Sequence, residues 1–137
     1  MRKKIYITLE FPKDQTGHKD RGNKQLLTIA KTSEYPATTI SADYSKLIID
    51  KGLFYATLQK HKDSNEHIIT FGKTGNLNAR ISKRHNYQYI VIRNIKLVEY
   101  LINLVGCDSY KGVKIRLSEN ISKEGDKLTF KFLYNED

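Results

Sequence analysis

The sequence is poor in residues that cross-link or interrupt a chain. Its 137 residues include one cysteine, Cys107, two prolines and no tryptophan. A single cysteine excludes an internal disulfide and a cysteine-based zinc site. No apolar run approaches the roughly 18 residues of a membrane span, and Glu10 and Pro12 come too early for a secretory signal. We therefore expect a cytoplasmic protein with no membrane partner.

Carboxylates are missing from one long segment. Residues 67–98 contain six Lys or Arg and no Asp or Glu, and the whole chain has a net charge of +9. A domain this basic often binds a polyanion, although the same charge also fits a basic surface with no partner. Residues 118–137 carry three Lys and five acids, so we do not expect the polyanion to bind there.

Catalytic and metal-binding patterns are also scarce. The four histidines do not show the spacing of metal ligands, and no glycine-rich phosphate loop is present. We therefore expect no cofactor and no metal ion.

The chain contains an internal repeat. A shift of 52 residues places 28–41 over 80–93 with four identities, and the order strand, strand, helix, strand, strand is predicted in both copies. Two similar β-rich halves aligned by chance would give the same pattern. The identical pairs are Ile29 with Ile81, Lys31 with Lys83, Tyr35 with Tyr87, and Ile40 with Ile92.

Local patterns define the elements of each copy. The β-branched stretches "ATTIS" and "YIVIR" predict strands. A helix is predicted that starts near Ser41 or Asp43, has Leu47 and Ile48 on its apolar face and stops at Gly52. A second helix ending at Gly106 is predicted by the apolar spacing of Ile95, Val98, Leu101, Ile102 and Val105. The expected organisation is residues 1–25 as a strand and basic loop, 26–72 as the first repeat and 73–137 as the second.

Both copies follow the plan of one known family, the second more closely than the first. "ARISKRHNYQYIVIRNIKLVEYLINLVG", followed by "VKIRL" and "DKLTFKF", resembles the swapped-hairpin domains of the AbrB/MazE/SpoVT family. The resemblance implies a mainly β fold with two short helices. In it, duplicated β-β-α-β-β units close one small barrel of the cradle-loop type. Such a chain would be a monomer with pseudo-two-fold symmetry or a homodimer.

The resemblance also implies DNA binding through the basic strand-loop region of each repeat, as in a transcriptional regulator or an antitoxin-like factor. We expect the second repeat to dominate, because the first has Glu34 and Asp43 where the second has Asn86 and Ile95. Arginine can read guanine edges, whereas lysine mostly holds phosphates. The candidate binding residues are Lys31, Lys73, Arg80, Lys83, Arg84, His85, Arg93 and Lys96.

Two alternatives remain open. The segment "TFGKTGNLNARISKRHN" resembles the second half of the GIY-YIG nuclease motif, although Thr70 and Phe71 replace the key tyrosine and its neighbour. The other alternative is a phage or mobile-element inhibitor that acts on a protein–nucleic-acid complex. Such an inhibitor would also need a basic face, and it would have a protein partner. Tyr87 and Tyr89 fit either base stacking or strand packing. The residues of the nuclease alternative are Tyr55, Gly72, Thr74, Asn76, Leu77, Arg80 and Glu99.

Overall fold

The computed structural model describes residues 5–11, 26–30, 37–106 and 113–133, with only the backbone described for 26–30, 84 and 113–114. Lys31, Cys107 and the predicted basic loop at 12–24 lie outside the described residues. The fold is mainly β with two helices, as expected. Its elements are β1 (Tyr6–Leu9), β2 (Leu26–Ala30), β3 (Ala37–Ile40), α1 (Ala42–Lys51), β4 (Tyr55–His61), β5 (His67–Gly72), β6 (Leu77–Asn78), β7 (Arg80–Arg84), β8 (Tyr87–Ile92), α2 (Ile95–Val105), β9 (Val113–Leu117) and β10 (Leu128–Leu133).

The strands form two antiparallel sheets that share β10. One sheet has the order β1-β4-β5-β10, with β6 beside β4, and the other has the order β10-β9-β2-β3-β8-β7. The single closed barrel that we expected is not found among the described residues. Closure needs a continuous ladder between the first and last strands. Here β4 pairs with β6 at only two positions, and β7 pairs with β8 alone.

The order strand, strand, helix, strand, strand occurs twice, as β2-β3-α1-β4-β5 and as β7-β8-α2-β9-β10. The hairpin registers agree with the shift of 52 residues. Between the copies, Thr39 of β3 pairs with Val91 of β8, which is its own counterpart under this shift. The two-fold axis that relates the two hairpins therefore passes close to this pair. The matching pairs within the hairpins are Ile29–Thr38 and Ile81–Ile90.

The registers of the second halves also match, but at a shift of 61 residues rather than 52, which places Ala56 over Leu117 and Phe71 over Phe132. Ala56 pairs with Phe71 in the β4–β5 hairpin, and Leu117 pairs with Phe132 in the β9–β10 hairpin. Both phenylalanines are buried, with exposed fractions of 0% and 2%. The pairing thus assigns Phe71 and Phe132 to equivalent core positions.

Both helices end where the sequence predicted. Gly52 and Gly106 follow α1 and α2 with φ angles of 67° and 68°, in the left-handed region that glycine adopts without strain. The expectation for Leu47 was wrong, since its side chain is 44% exposed. The buried side of α1 consists of Ser45 and Ile48, because residues three apart lie on one helix face.

Ser45 attaches α1 to two strands of the second sheet. Its buried hydroxyl donates to the Ile40 carbonyl at 2.9 Å and accepts from the Ile90 backbone N–H at 2.8 Å. A buried donor and acceptor are satisfied together, which fixes β8 relative to β3 and the helix. This contact holds the β7–β8 hairpin against the core.

Candidate nucleic-acid interface

The β7–β8 hairpin carries most of the predicted binding residues. It has five residue pairs, from Arg80–Val91 to Arg84–Tyr87, and a two-residue loop of His85 and Asn86. β7 is the last strand of its sheet path. His85 has a φ of 55°, which is unfavourable for a residue with a side chain. Such strain is concentrated at functional sites and at tight turns.

The hairpin presents two faces, and its basic residues are divided between them. Directly opposed residues of an antiparallel pair share a face, and successive residues alternate. The register therefore places Arg80 on the same face as Tyr87 and Tyr89, and Lys83 on the same face as Gln88. The strand register therefore divides the predicted basic strand-loop region between two faces of the hairpin.

Two tyrosines give the Arg80 face an aromatic surface. Tyr87 is 60% exposed, and its ring centroid lies 6.4 Å from that of the partly buried Tyr89. A tyrosine that only packs in a strand would be largely covered. The exposed ring can stack on a nucleic-acid base, a contact worth roughly 1–3 kcal/mol per base.

The positive charges on and near the hairpin differ in how far they are neutralised. Lys73, Arg80 and Lys83 are exposed, and no described carboxylate lies within ion-pair distance of them. Lys96, at the start of α2, pairs with Glu99 at 3.6 Å. Arg93 is partly buried at the end of β8. The three uncompensated charges are therefore the strongest candidates among the described basic residues.

Three residues of the nuclease-like segment have structural roles. A side chain at Gly75 would bring its Cβ within 2.6 Å of the Ala56 carbonyl oxygen, so only glycine fits there. Asn76 donates from Nδ2 to the Leu9 carbonyl at 2.8 Å, which ties the loop to β1. Leu77 is buried in the core. These contacts account for the "GNL" sequence without catalysis.

The remaining nuclease candidates lie on separate elements. Tyr55 of β4 pairs with Gly72 of β5, as neighbouring strands of a nuclease sheet would. Arg80 lies on strand β7, and Glu99 lies on α2, where it contacts Lys96.

A groove between α1 and the end of the β7–β8 hairpin was not foreseen from the sequence. Its volume is about 370 Å³, within the roughly 300–1,000 Å³ typical of ligand sites. The spacing of Asp43, Lys46 and Asp50 predicts one helix face. Nothing in the sequence shows that this face meets a hairpin more than 30 residues away. The polar and aromatic side chains that line the groove are Asp43, Lys46, Asp50, Asn86, Tyr87 and Gln88.

A buried polar pair lies away from the hairpin. His67 is fully buried, and its Nε2 is 2.6 Å from the Tyr100 hydroxyl, while its Nδ1 is 2.9 Å from the Asn65 carbonyl. Burial lowers the pKa of His67, and burial raises the pKa of Tyr100. The neutral imidazole therefore donates from Nδ1 and accepts from the tyrosine hydroxyl. This pair stabilises the core rather than contributing charge to the hairpin.

The described part of the chain contains no group of three or more His, Cys, Asp or Glu residues placed to hold a metal ion. In the same segments, neither helix has the length and apolarity needed to cross a membrane. No protein-family model matches the chain, and no curated protein or solved structure matches it significantly.

Proposed function

We propose that this protein binds nucleic acid through the β7–β8 hairpin and acts by binding rather than by catalysis. The observation that carries the proposal is the exposed Tyr87 ring on the same hairpin as the uncompensated charges of Arg80 and Lys83. Lysine and arginine attract phosphates, and an exposed aromatic ring attracts bases. A merely solvated basic strand pair would not need the exposed ring.

The geometry favours contacts along both faces of the hairpin. Arg80, at the end of β7 away from the loop, lies on one face with the tyrosines, and Lys83, nearer the loop, lies on the other. A nucleic-acid strand that follows the hairpin can therefore meet a charge on either face. Each phosphate that is neutralised releases counterions, which makes the affinity depend on salt. Base contacts by Arg80 would add sequence preference.

We further propose that the two halves are copies of one β-β-α-β-β unit of the swapped-hairpin, AbrB-like kind. The shared strand registers support this, because two unrelated hairpins have no reason to agree in register over the same shift. Two copies within one chain favour a monomer, with a regulatory or antitoxin-like role on duplex DNA.

The binding proposal is tested by titrating the protein against labelled duplex and single-stranded DNA at about 50 mM and about 200 mM salt. With three phosphate contacts, we expect the affinity to fall about 40-fold for duplex and about 20-fold for single strands over this range. Absence of binding to either form at the lower salt concentration would overturn the proposal.

The same mixtures with Mg²⁺ added test for cleavage. We expect the DNA to stay intact, and the variant Glu99→Ala to bind as the parent protein does. Cleavage that disappears in the Glu99→Ala variant would establish the nuclease alternative instead.

A further inference from the structure

The groove beside the hairpin tip is continuous with the proposed binding surface. Tyr87 belongs to both, since it lines the groove and is the exposed ring of the hairpin. Gln88, on the same face as Lys83, also lines the groove. A nucleic-acid strand held at the loop end of the hairpin therefore passes the mouth of the groove.

The chemistry of the lining differs from that of the hairpin. Asp43 and Asp50 contribute two carboxylates, and no described Lys or Arg lies within ion-pair distance of either. An ionised carboxylate only accepts hydrogen bonds, whereas the side-chain amides of Asn86 and Gln88 both donate and accept. An occupant must therefore present hydrogen-bond donors to the helix side.

These features select one part of a nucleic acid. A phosphate would be repelled by the two carboxylates. A base presents a flat face for the Tyr87 ring and, in adenine, cytosine and guanine, an exocyclic amino group that a carboxylate can accept from. Thymine and uracil lack that amino group. A base paired inside a duplex cannot offer its whole edge to such a groove.

We infer that the groove between α1 and the β7–β8 hairpin binds one unpaired, amino-bearing base of the nucleic acid held by the hairpin. The inference rests on the proposed function. It narrows the target from duplex DNA in general to nucleic acid that contains an unpaired base. Tyr87 stacks on the base, and Asp43 or Asp50 accepts from its amino group.

The inference is tested by fluorescence anisotropy with labelled thymine strands of about 12 nucleotides, a length within single-strand site sizes. The central nucleotide is thymine, adenine or cytosine. We expect the adenine and cytosine strands to bind about tenfold more tightly than the all-thymine strand. The double variant Asp43→Asn/Asp50→Asn should bind all three strands equally. A matched control, Asp63→Asn/Asp126→Asn, removes the same charge from two exposed positions and should keep the tenfold preference.

The outcomes separate the two proposals. Equal binding of the three strands by the parent protein, with binding weakened by Lys83→Ala, overturns the groove assignment and leaves the hairpin function standing. An equal gain in affinity for all strands in the Asp43→Asn/Asp50→Asn variant, with the preference retained, shows that the carboxylates only repel phosphate and also overturns it. Absence of binding to every strand and to duplex DNA overturns both. Thermal melting of each variant shows whether the fold is intact.

Discussion

The two β-hairpins that open the repeats share a backbone register but differ in what surrounds them. β2 lies between β3 and β9, whereas β7 pairs with β8 and with no other strand that the structure describes. All four residues of β3 are buried, while β8 begins with the exposed Tyr87 and Gln88 and becomes buried only from Ile90. The same hairpin geometry therefore serves as core in the first copy and as accessible surface in the second.

If the two halves are copies of one unit, as proposed, this difference separates stability from function. Once one copy supplies a covered central hairpin, the other is free to carry charge at the edge of the sheet. Charged residues on an edge strand also discourage pairing with other chains. The absence of Asp and Glu from residues 67–98 is consistent with a binding role and with protection of the edge. The following predictions sharpen the comparison.

Replacing the equivalent phenylalanines tests the two-fold relation in the core. Phe71→Ala and Phe132→Ala each remove a buried ring, and each should lower the free energy of unfolding by about 3–5 kcal/mol. Urea unfolding measures both values. If the alanine variants do not fold, Phe71→Leu and Phe132→Leu provide the comparison. A cost at one position several times that at the other would show that the two positions are not equivalent.

Ser45 distinguishes α1 from α2, whose corresponding turn carries the buried Val98. Ser45→Ala leaves the buried N–H of Ile90 without its acceptor, so we expect the free energy of unfolding to fall by about 1–3 kcal/mol. Ser64→Ala, at an exposed loop position, should cost less than about 0.5 kcal/mol. A cost no greater than that control would remove Ser45 as the contact that holds β8.

His67 introduces a pH dependence at a position where the second copy has a leucine. The strand pairing places Leu128 at the corresponding position, opposite Phe71, while the His67 ring stacks on Phe132 at 5.7 Å. Burial lowers the pKa of His67 below its ordinary value of 6.5. The unfolded chain therefore binds a proton more readily, and stability is complete above about pH 6.5 and declines as the pH falls below it.

Urea unfolding of the parent protein and of His67→Leu between about pH 7.5 and pH 5.5 measures this effect. The decline should be smaller in the variant. Equal declines in the two proteins would assign the pH dependence to other groups.

The strained loop residue gives the smallest effect. His85→Gly places at φ 55° the residue that tolerates this conformation, and we expect it to raise the free energy of unfolding by about 0.5–1 kcal/mol. Thermal unfolding measures the change. A loss of stability would mean that the His85 side chain makes contacts that outweigh the strain.

Much of the fold could be predicted from local sequence. The β-branched stretches marked β3 and β8, and Gly52 and Gly106 marked the helix ends, because these signals depend on a few neighbouring residues. The apolar face of α1 was partly wrong, since Leu47 is exposed and Ser45 is buried. A buried serine is specified by its two backbone partners on different strands, which no local pattern reveals.

The candidate site was predicted less completely. Arg80 and Lys83 were identified by charge, but their separation onto two faces depends on the strand register. The groove depends on contact between α1 and a distant hairpin, so Asp43 and Asp50 were not recognised as part of a site. The absence of a closed barrel likewise depends on the length of β6, which has only two residues, both paired with β4.

The central claim is that the β7–β8 hairpin binds nucleic acid because of where its charged residues lie rather than because of the total charge of the protein. The decisive measurement is the affinity of Lys73→Ala/Arg80→Ala/Lys83→Ala against that of Lys62→Ala/Lys123→Ala/Lys127→Ala, which removes three exposed positive charges elsewhere. The account predicts that the first variant loses roughly 100-fold in affinity and that its slope of log affinity against log salt concentration falls by about three. The second variant should lose less than about threefold in affinity. Equal losses in the two variants would contradict it.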